Sequence, residues 1–178
     1  MKHTAAILCL FVGLTGPLPA VAQTTEAAVA AKEEDLAKAA TDPAAFARLA
    51  ASSNMLEIES STLALERSQN ADVQAFAQKM IDDHTAAGEK MKAAAQEAGV
   101  EVPTEMNEAD QQALQALQDA GEFDQAYLDL QTKAHDEAVS LFEAFSTGAE
   151  DSALRGFASD TLPKLQEHQT QARDLNGA

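Results

Sequence analysis

The feature that most constrains the fold is a four-and-three spacing of residues along three long segments. In one segment the stepping is unbroken over the positions Val73, Ala77, Met80, His84, Ala87, Met91, Ala94 and Ala98. Residues spaced alternately by four and three share one side of an α-helix and form the seam at which it packs against other helices. The same spacing recurs from Tyr127 to Phe145 and from Leu154 to Leu175. It therefore predicts long helices packed side by side.

Start and stop signals divide the chain into five helices. Asp42-Pro43 supplies an N-cap and a proline at the first helical position, and Gly99 and Gly148 supply stops. The predicted helices run from Asp42 to about Gln69, from the break at Asn70–Asp72 to about Ala98, from Thr104 to Asp119, from Phe123 to Phe145 and from Ser152 to Leu175. Pro163 predicts a kink in the last one. The predicted fold class is all-α: a four-helix bundle over residues 42–176 with a short extra helix in the crossover.

The first 22 residues have the three-part layout of a secretory signal peptide. Lys2 precedes an apolar run from Ala5 to Leu14, and Ala20-Val21-Ala22 forms an A-x-A cleavage site. Cleavage is predicted after Ala22, which places the protein in the periplasm or outside the cell. The run is well short of the ~20 residues that span a bilayer, so no membrane span is expected after cleavage. Cys9, the single cysteine, leaves with the signal peptide.

Residues 23–41 are rich in alanine and charge, with Leu36 as the one large apolar side chain. They predict a flexible or loosely helical leader, because they can bury little apolar surface. The whole chain has 12 Lys and Arg residues against 29 Asp and Glu residues, a net charge of −17 at pH 7. This acidic excess argues against binding to nucleic acid or anionic lipid, because phosphate contacts need positive side chains.

Each of the three histidines after the signal peptide falls on or beside the inner face of a different helix. His84 and His168 occupy seam positions, and His135 lies beside the seam of its helix. On the first helix, projection at about 100° per residue puts Glu57 in the centre of the apolar stripe. An unpaired buried carboxylate is strongly disfavoured, so Glu57 is expected to have a partner. One metal-capable side chain per helix is thus predicted to face the core.

Two interpretations fit these four side chains. Three histidines and a carboxylate suit one transition-metal ion, such as zinc, copper or iron. Asp83 and Glu167, each directly before a histidine, would then be partners of the ligands or surface charges. Counting from the helix ends puts Glu57 and His84 at the same height and offsets the other two histidines by roughly a turn or more. The alternative is a metal-free polar network that fixes the register of the helices.

Catalysis has little support in the sequence. The residues after the signal peptide contain no nucleophile-and-base arrangement, glycine-rich phosphate loop or CxxC motif. Two functions remain: a periplasmic metal-binding protein, or a metal-free structural or stress-related envelope protein that acts through protein contacts. The pattern identifies neither a protein partner nor an oligomeric state.

An ordered series of motifs runs from about Asp42 to Leu175. The series is Phe46 to Ala50, Asn54 to Glu59, Leu63-Ala64-Leu65, Phe76-Ala77, Met80, Asp83-His84, Pro103, Phe123-Asp124-x-x-Tyr127, His135, Phe157-Ala158, Leu162-Pro163 and His168. It resembles the ferritin-like family of exported bacterial proteins called domain of unknown function 4142. The resemblance implies a ferritin-like bundle outside the cytoplasm and brings no established activity. It also implies that the signature polar positions of the family are Glu57, His84, His135, His168, Asp124 and Tyr127.

The series departs from the di-iron ferritins, which place a glutamate three residues before each metal-binding histidine. Ile81 and Leu165 stand at those places here. A di-iron centre is therefore not expected, and a mononuclear site is the metal arrangement that the residues favour. Asp124 also suits the positive end of a helix dipole, and Tyr127 lies on the seam, where it would pack as ordinary core.

Overall fold

The computed structural model describes residues 34–150 and 152–177, and the regular structure within them is entirely helical. The helices are α1 (Pro43–Arg67), α2 (Ala71–Glu97), α3 (Glu108–Gln118), α4 (Phe123–Gly148) and α5 (Ala153–Asn176). Residues 34–39 are helical as well. The all-α prediction is confirmed. The predicted signal peptide and most of the predicted leader lie outside the described residues.

Side-chain caps begin four of the five helices. The Asp42 carboxylate accepts from the backbone N–H groups of Ala44 (2.9 Å) and Ala45 (3.3 Å) before α1. The corresponding caps of α2, α3 and α5 are Asn70, Asn107 and Ser152. Each cap satisfies backbone donors that the first turn of a helix leaves without a partner. These polar residues therefore mark where α1, α2, α3 and α5 begin.

The four long helices pack as a bundle around a core in two apolar clusters. One cluster joins the N-terminal half of α1 and the C-terminal part of α4 to the start of α5, and includes Phe46, Met91, Phe145 and Leu154. The other joins the start of α2 to the start of α4, and includes Val73, Met80, Leu128 and Ala172. Neighbouring pairs are α1 with α2, α2 with α5, α5 with α4, and α4 with α1, while α3 packs on α1 and α4.

Aromatic packing fixes α1 against α4 in the first cluster. The Phe46 ring stacks on Phe145 with 4.0 Å between centroids, and meets the Phe142 ring edge-on at 5.0 Å. Burial of a phenylalanine side chain is worth about 1.5–3 kcal/mol, so this trio contributes substantially to the interface. The contact also sets the relative height of the two helices.

The short helix α3 starts later than predicted, at Glu108 rather than Thr104. Its N-cap region is held on α1: the Ser52 hydroxyl hydrogen-bonds to the Asp110 carboxylate and accepts from the backbone N–H of Asn107 (2.9 Å). Ser52 is buried, so its hydroxyl needs these partners. A tertiary contact thus reinforces the local cap Asn107 at the start of α3.

Gly148 does not break α4 but forms its last residue. A Cβ atom at this position would lie 2.8 Å from the carbonyl oxygen of Ala40. The glycine therefore permits close approach of residue 40 to the end of α4. Ala39, the neighbour of residue 40 in the chain, is fully buried. The packed core therefore begins before residue 42, the predicted boundary of the bundle.

Pro163 lies inside α5, and the helix continues through it. None of the described helices combines the length and the hydropathy that crossing a membrane requires.

Replacing Gly148 by alanine is expected to lower the free energy of unfolding by about 1–3 kcal/mol, the usual cost of overpacking. Gly156 in α5 is the matched control, because a Cβ there meets nothing within 4 Å. Gly156→Ala should raise the free energy of unfolding by about 0.5–1 kcal/mol through better helix propensity. Urea denaturation of both variants measures the two effects. Equal stabilisation by the two substitutions would contradict the proposed role of Gly148.

Candidate metal centre

A polar layer separates the two apolar clusters at the middle of the bundle. His84 lies thirteen residues after the start of α2 at Ala71, and His168 lies fifteen after the start of α5 at Ala153. His135 lies thirteen residues before the end of α4 at Gly148. Counted from the true helix ends, the three histidines thus share a height. The predicted offset of roughly a turn or more for His135 and His168 was wrong, because α4 extends to Gly148 instead of ending at Phe145 and α5 starts at Ala153 instead of Ser152.

The three histidine rings form a nearly equilateral triangle. Their centroids are separated by 5.7 Å (His84 to His135), 5.6 Å (His84 to His168) and 5.4 Å (His135 to His168). One ring nitrogen of each residue lies within 4.8 Å of those of the other two. All three side chains are buried. Residues from three different helices therefore converge on one small volume of the core.

One nitrogen of each ring, called the outer nitrogen below, forms a hydrogen bond with an oxygen atom. His84 Nδ1 is 3.1 Å from Asn54 Oδ1, His135 Nδ1 is 2.9 Å from the backbone carbonyl oxygen of Gln131, and His168 Nε2 is 2.8 Å from Asp83 Oδ2. A carbonyl or ionised carboxylate oxygen can only accept, so the ring nitrogen donates in each case. In the neutral imidazoles, the second nitrogen must then carry the lone pair.

The three lone-pair nitrogens have no partner among the described residues. They are His84 Nε2, His135 Nε2 and His168 Nδ1, and all are buried. An unpaired buried polar atom costs roughly 1–3 kcal/mol, so three in one place are an exception that requires an explanation. Neutral imidazole nitrogens, each oriented by a hydrogen bond on its other nitrogen, are the donors that transition metals bind.

Burial keeps His84 and His168 neutral. It lowers the pKa of His84 well below its ordinary value, and the neighbouring His135 and His168 lower it further. Burial also lowers the pKa of His168, to about 4, despite the opposing hydrogen bond to Asp83. Both rings are therefore unprotonated near neutral pH, the state in which a nitrogen can coordinate a metal.

Glu57 reaches the layer from α1 but lies against the outer nitrogen of His135. Its Oε1 atom is 3.6 Å from His135 Nδ1, and its Oε2 atom has no hydrogen-bond partner among the described residues. Burial raises the pKa of Glu57, although the neighbouring His135 and a hydrogen bond from Gln131 oppose the shift. Glu57 is not in the group of three residues whose ligand atoms come together. In this geometry it can orient His135.

Asp83 and Glu167 belong to an ion cluster at the edge of the site. Asp83 contacts Lys79 (2.8 Å), Lys164 (3.6 Å) and His168, while Glu167 contacts the same two lysines at 3.2 and 3.4 Å. Burial alone would raise the pKa of Asp83, but the hydrogen bonds from Lys79 and His168 lower it to about 2. Asp83 thus remains a carboxylate that holds His168, although it precedes His84 in the chain.

Asp124 and Tyr127 lie outside the histidine layer. Tyr127 is buried in the second apolar cluster, where its hydroxyl hydrogen-bonds to Ser61 Oγ at 2.9 Å and burial raises its pKa. Asp124 occupies the first turn of α4, the favourable end of the helix dipole. Among the described residues, neither belongs to the group whose ligand atoms come together.

Two hydrogen-bond acceptors of the histidines were not predicted from the sequence: the Asn54 side chain and the backbone carbonyl of Gln131. Asn54 is three residues before Glu57 and therefore shares its face of α1, a signal that was present in the sequence. It also lies thirteen residues before the end of α1, which matches the position of His84 in α2. No sequence signal identifies a backbone carbonyl as the acceptor for a particular histidine.

Comparison with protein families finds one match, described as a domain of unknown function (DUF4142), over residues 23–175. Neither the curated proteins nor the solved structures give a match. The family match agrees with the resemblance seen in the motifs, and it covers all of the bundle except its last residue, Asn176.

The metal-free protein is expected to lose stability between about pH 7 and about pH 5. Unfolded histidines titrate near 6.5, whereas the folded pKa values of His84 and His168 are lower. The unfolded state therefore binds more protons in this window, and the free energy of unfolding falls as the pH falls. The shift of Glu57 acts in the opposite sense, since its folded pKa is raised.

A His84→Gln, His168→Gln double variant isolates the histidine contribution because it retains Glu57. Its urea midpoint should change less between the two pH values than that of the wild-type protein, both measured after chelator treatment. An identical pH dependence of the two proteins would contradict the assignment of neutral buried histidines.

Proposed function

Since the chain belongs to the domain of unknown function (DUF4142) family, whose description assigns no activity, we propose a function from the site itself. The protein binds a single transition-metal ion through His84, His135 and His168. The observation that carries this proposal is the set of three buried ring nitrogens, each with a lone pair and without a partner among the described residues.

The donor set favours zinc or copper. Zinc lies 2.0–2.1 Å from histidine nitrogens, so ligands in a tetrahedral site are roughly 3.4 Å apart. The nitrogens here lie within 4.8 Å of one another, and binding would draw the rings inward by up to roughly 1 Å. Copper(II) binds nitrogen donors more tightly than zinc. Iron sites more often add a carboxylate, and Glu57 lies beside the outer nitrogen of His135.

Three protein ligands leave one coordination position open. Structural zinc sites are closed by four protein ligands, whereas a site with three binds water or another small ligand at the fourth position. Di-iron proteins have a glutamate three residues before each ligand histidine, whereas this chain has Ile81 and Leu165 at those positions. The absence of these two carboxylates supports a mononuclear site. The proposed role is therefore that of a mononuclear metal-binding bundle with one exchangeable ligand.

The proposed location is the periplasm or the cell exterior. The signal-peptide pattern of residues 1–22 supports it, and the family match begins at residue 23, directly after the predicted cleavage position. Cleavage would remove Cys9, the single cysteine, so the mature chain would offer no thiolate to a metal ion.

The protein purified without an affinity tag is expected to contain, or to take up on titration, close to one equivalent of zinc or copper. Elemental analysis after gel filtration measures the content, and the melting temperature should rise when the metal is added. A His84→Ala, His168→Ala double variant should bind none and show no rise, because two of three ligands are lost.

Ser61→Ala is the matched control for this measurement. It removes a buried hydroxyl from the pair with Tyr127 and should destabilise the core by about 1 kcal/mol without loss of metal. A wild-type protein that neither contains nor takes up metal would refute the proposal. It would leave the histidines as a metal-free polar layer of a structural envelope protein.

Asp83→Asn is expected to weaken metal affinity by about 10–100-fold, the usual effect of removing the carboxylate that orients a ligand histidine. Glu167→Gln is the control, because Glu167 pairs with the same two lysines but does not contact a histidine. Isothermal titration calorimetry of both variants measures the difference. Equal losses of affinity would show that Asp83 acts only through the surface charge.

A further inference from the structure

We propose that the metal centre takes up a small neutral diatomic molecule through a narrow apolar cavity that ends at His84 and His168. The inference rests on the proposed function, because the molecule would occupy the open coordination position of the bound metal. It adds the chemical class of that ligand, which the three histidines alone leave open.

The cavity lies between the long helices and has a volume of about 40 Å³. His84 and His168 form part of its wall, whereas His135 does not line it. Eight of its fifteen lining residues are apolar, among them Met91, Phe142 and Phe157. Its polar lining includes Ser53 and also Asn54 and Asp83, which hold the outer nitrogens of His84 and His168. Exposed Lys164 and partly exposed Thr161 also line it, so the cavity extends to the protein surface. It connects solvent with two of the three histidines.

The size and the walls of the cavity restrict what can enter. A water molecule needs roughly 10–15 Å³ of such space, so the volume admits only a few atoms. Aliphatic and aromatic walls offer water few hydrogen bonds, and cavities of this kind favour small apolar molecules over water. A substrate of metabolite size does not fit. A diatomic molecule fits in both size and polarity.

The charges at the entrance give no preference for an anion. Lys79 and Lys164 are paired with Asp83 and Glu167 at distances of 2.8–3.6 Å, two positive charges against two negative ones. A site that gathers anions would carry an excess of positive charge at its mouth. The balanced entrance therefore agrees with a neutral ligand.

Coordination would be reversible and would transfer no electron. The diatomic molecule donates a lone pair to the open position of the metal, and water, where present, leaves by the cavity. Copper(I) is a suitable probe metal because it is bound by imidazole nitrogens and leaves a vacant fourth position with three of them. Carbon monoxide is a suitable probe ligand because it binds without further reaction.

The test uses protein loaded with copper(I) under anaerobic conditions and exposed to carbon monoxide. Infrared spectroscopy should show one sharp C–O stretching band that shifts with ¹³C-labelled carbon monoxide. Flash photolysis then gives the rate at which carbon monoxide rebinds from solvent. The metal content is measured on the same samples.

Ala87→Val and Ala138→Val add methyl groups to the cavity wall from α2 and α4. Each should slow rebinding by about tenfold or more, as the steric cost of overpacking implies, while copper content is unchanged. Ala87 is only partly buried, so its variant is expected to fold even if Ala138→Val does not. Ala126→Val in α4 is the control, since Ala126 is also partly buried but does not line the cavity.

The outcomes separate this inference from the proposed function. Copper-loaded protein with a carbon monoxide band and slowed rebinding in the cavity variants would support both. Copper-loaded protein without a band, or with equal rebinding rates in all variants, would overturn the inference and leave metal binding intact. Protein that takes up no copper would overturn both.

Discussion

Three imidazole rings at mid-height in an apolar core impose the constraint on which the rest of this structure depends. Each ring is buried and has a polar edge that needs a hydrogen-bond partner. Three different acceptors do so: the Asn54 amide from α1, the Asp83 carboxylate from α2 and the Gln131 carbonyl from α4. The first two hydrogen bonds join α1 to α2 and α2 to α5, so they require these three helices to keep one register, whereas His135 is oriented by the carbonyl of its own helix α4.

The two apolar clusters maintain that register from either side of the polar layer. Phe46 between Phe142 and Phe145 locks α1 to α4 above it, and Met80 with Val73 packs below it. A shift of α2 or α5 by a turn would move its histidine by about 5.4 Å into an apolar cluster and break the hydrogen bond between Asp83 and His168. The apolar packing and the polar layer therefore specify the same arrangement. Within the described part of the chain, that arrangement leaves one nitrogen of each ring without a partner and a cavity beside two of the rings.

Much of the fold could be predicted from local signals, and the exceptions share a cause. Asp42 and Asn70 cap their helices through their own side chains, so the starts of α1 and α2 are visible in the sequence. The start of α3 combines its local cap Asn107 with a contact to Ser52 in another helix, and the end of α4 at Gly148 lies close to the carbonyl of Ala40. At both misplaced ends a tertiary contact adds to the local signal.

In the candidate site, too, some features follow from local sequence and others from the tertiary structure. The inward direction of each histidine and the burial of Glu57 follow from helical periodicity, which acts over a few residues. The matching height of the histidines depends on the true ends of α4 and α5, and small errors in those ends had displaced His135 by more than a turn.

The sequence by itself determined the helices, their inner faces and the presence of one histidine on or beside the inner face of each of three of them. Only the tertiary structure decided which nitrogen of each ring is free, and that Glu57 lies at the outer side of His135. The hydrogen bond between Asp83 and His168 joins residues 85 positions apart. Helix periodicity fixes the direction of a side chain relative to its own axis. Its partner is set by the rotation and height of one helix against another, which loops and core packing determine.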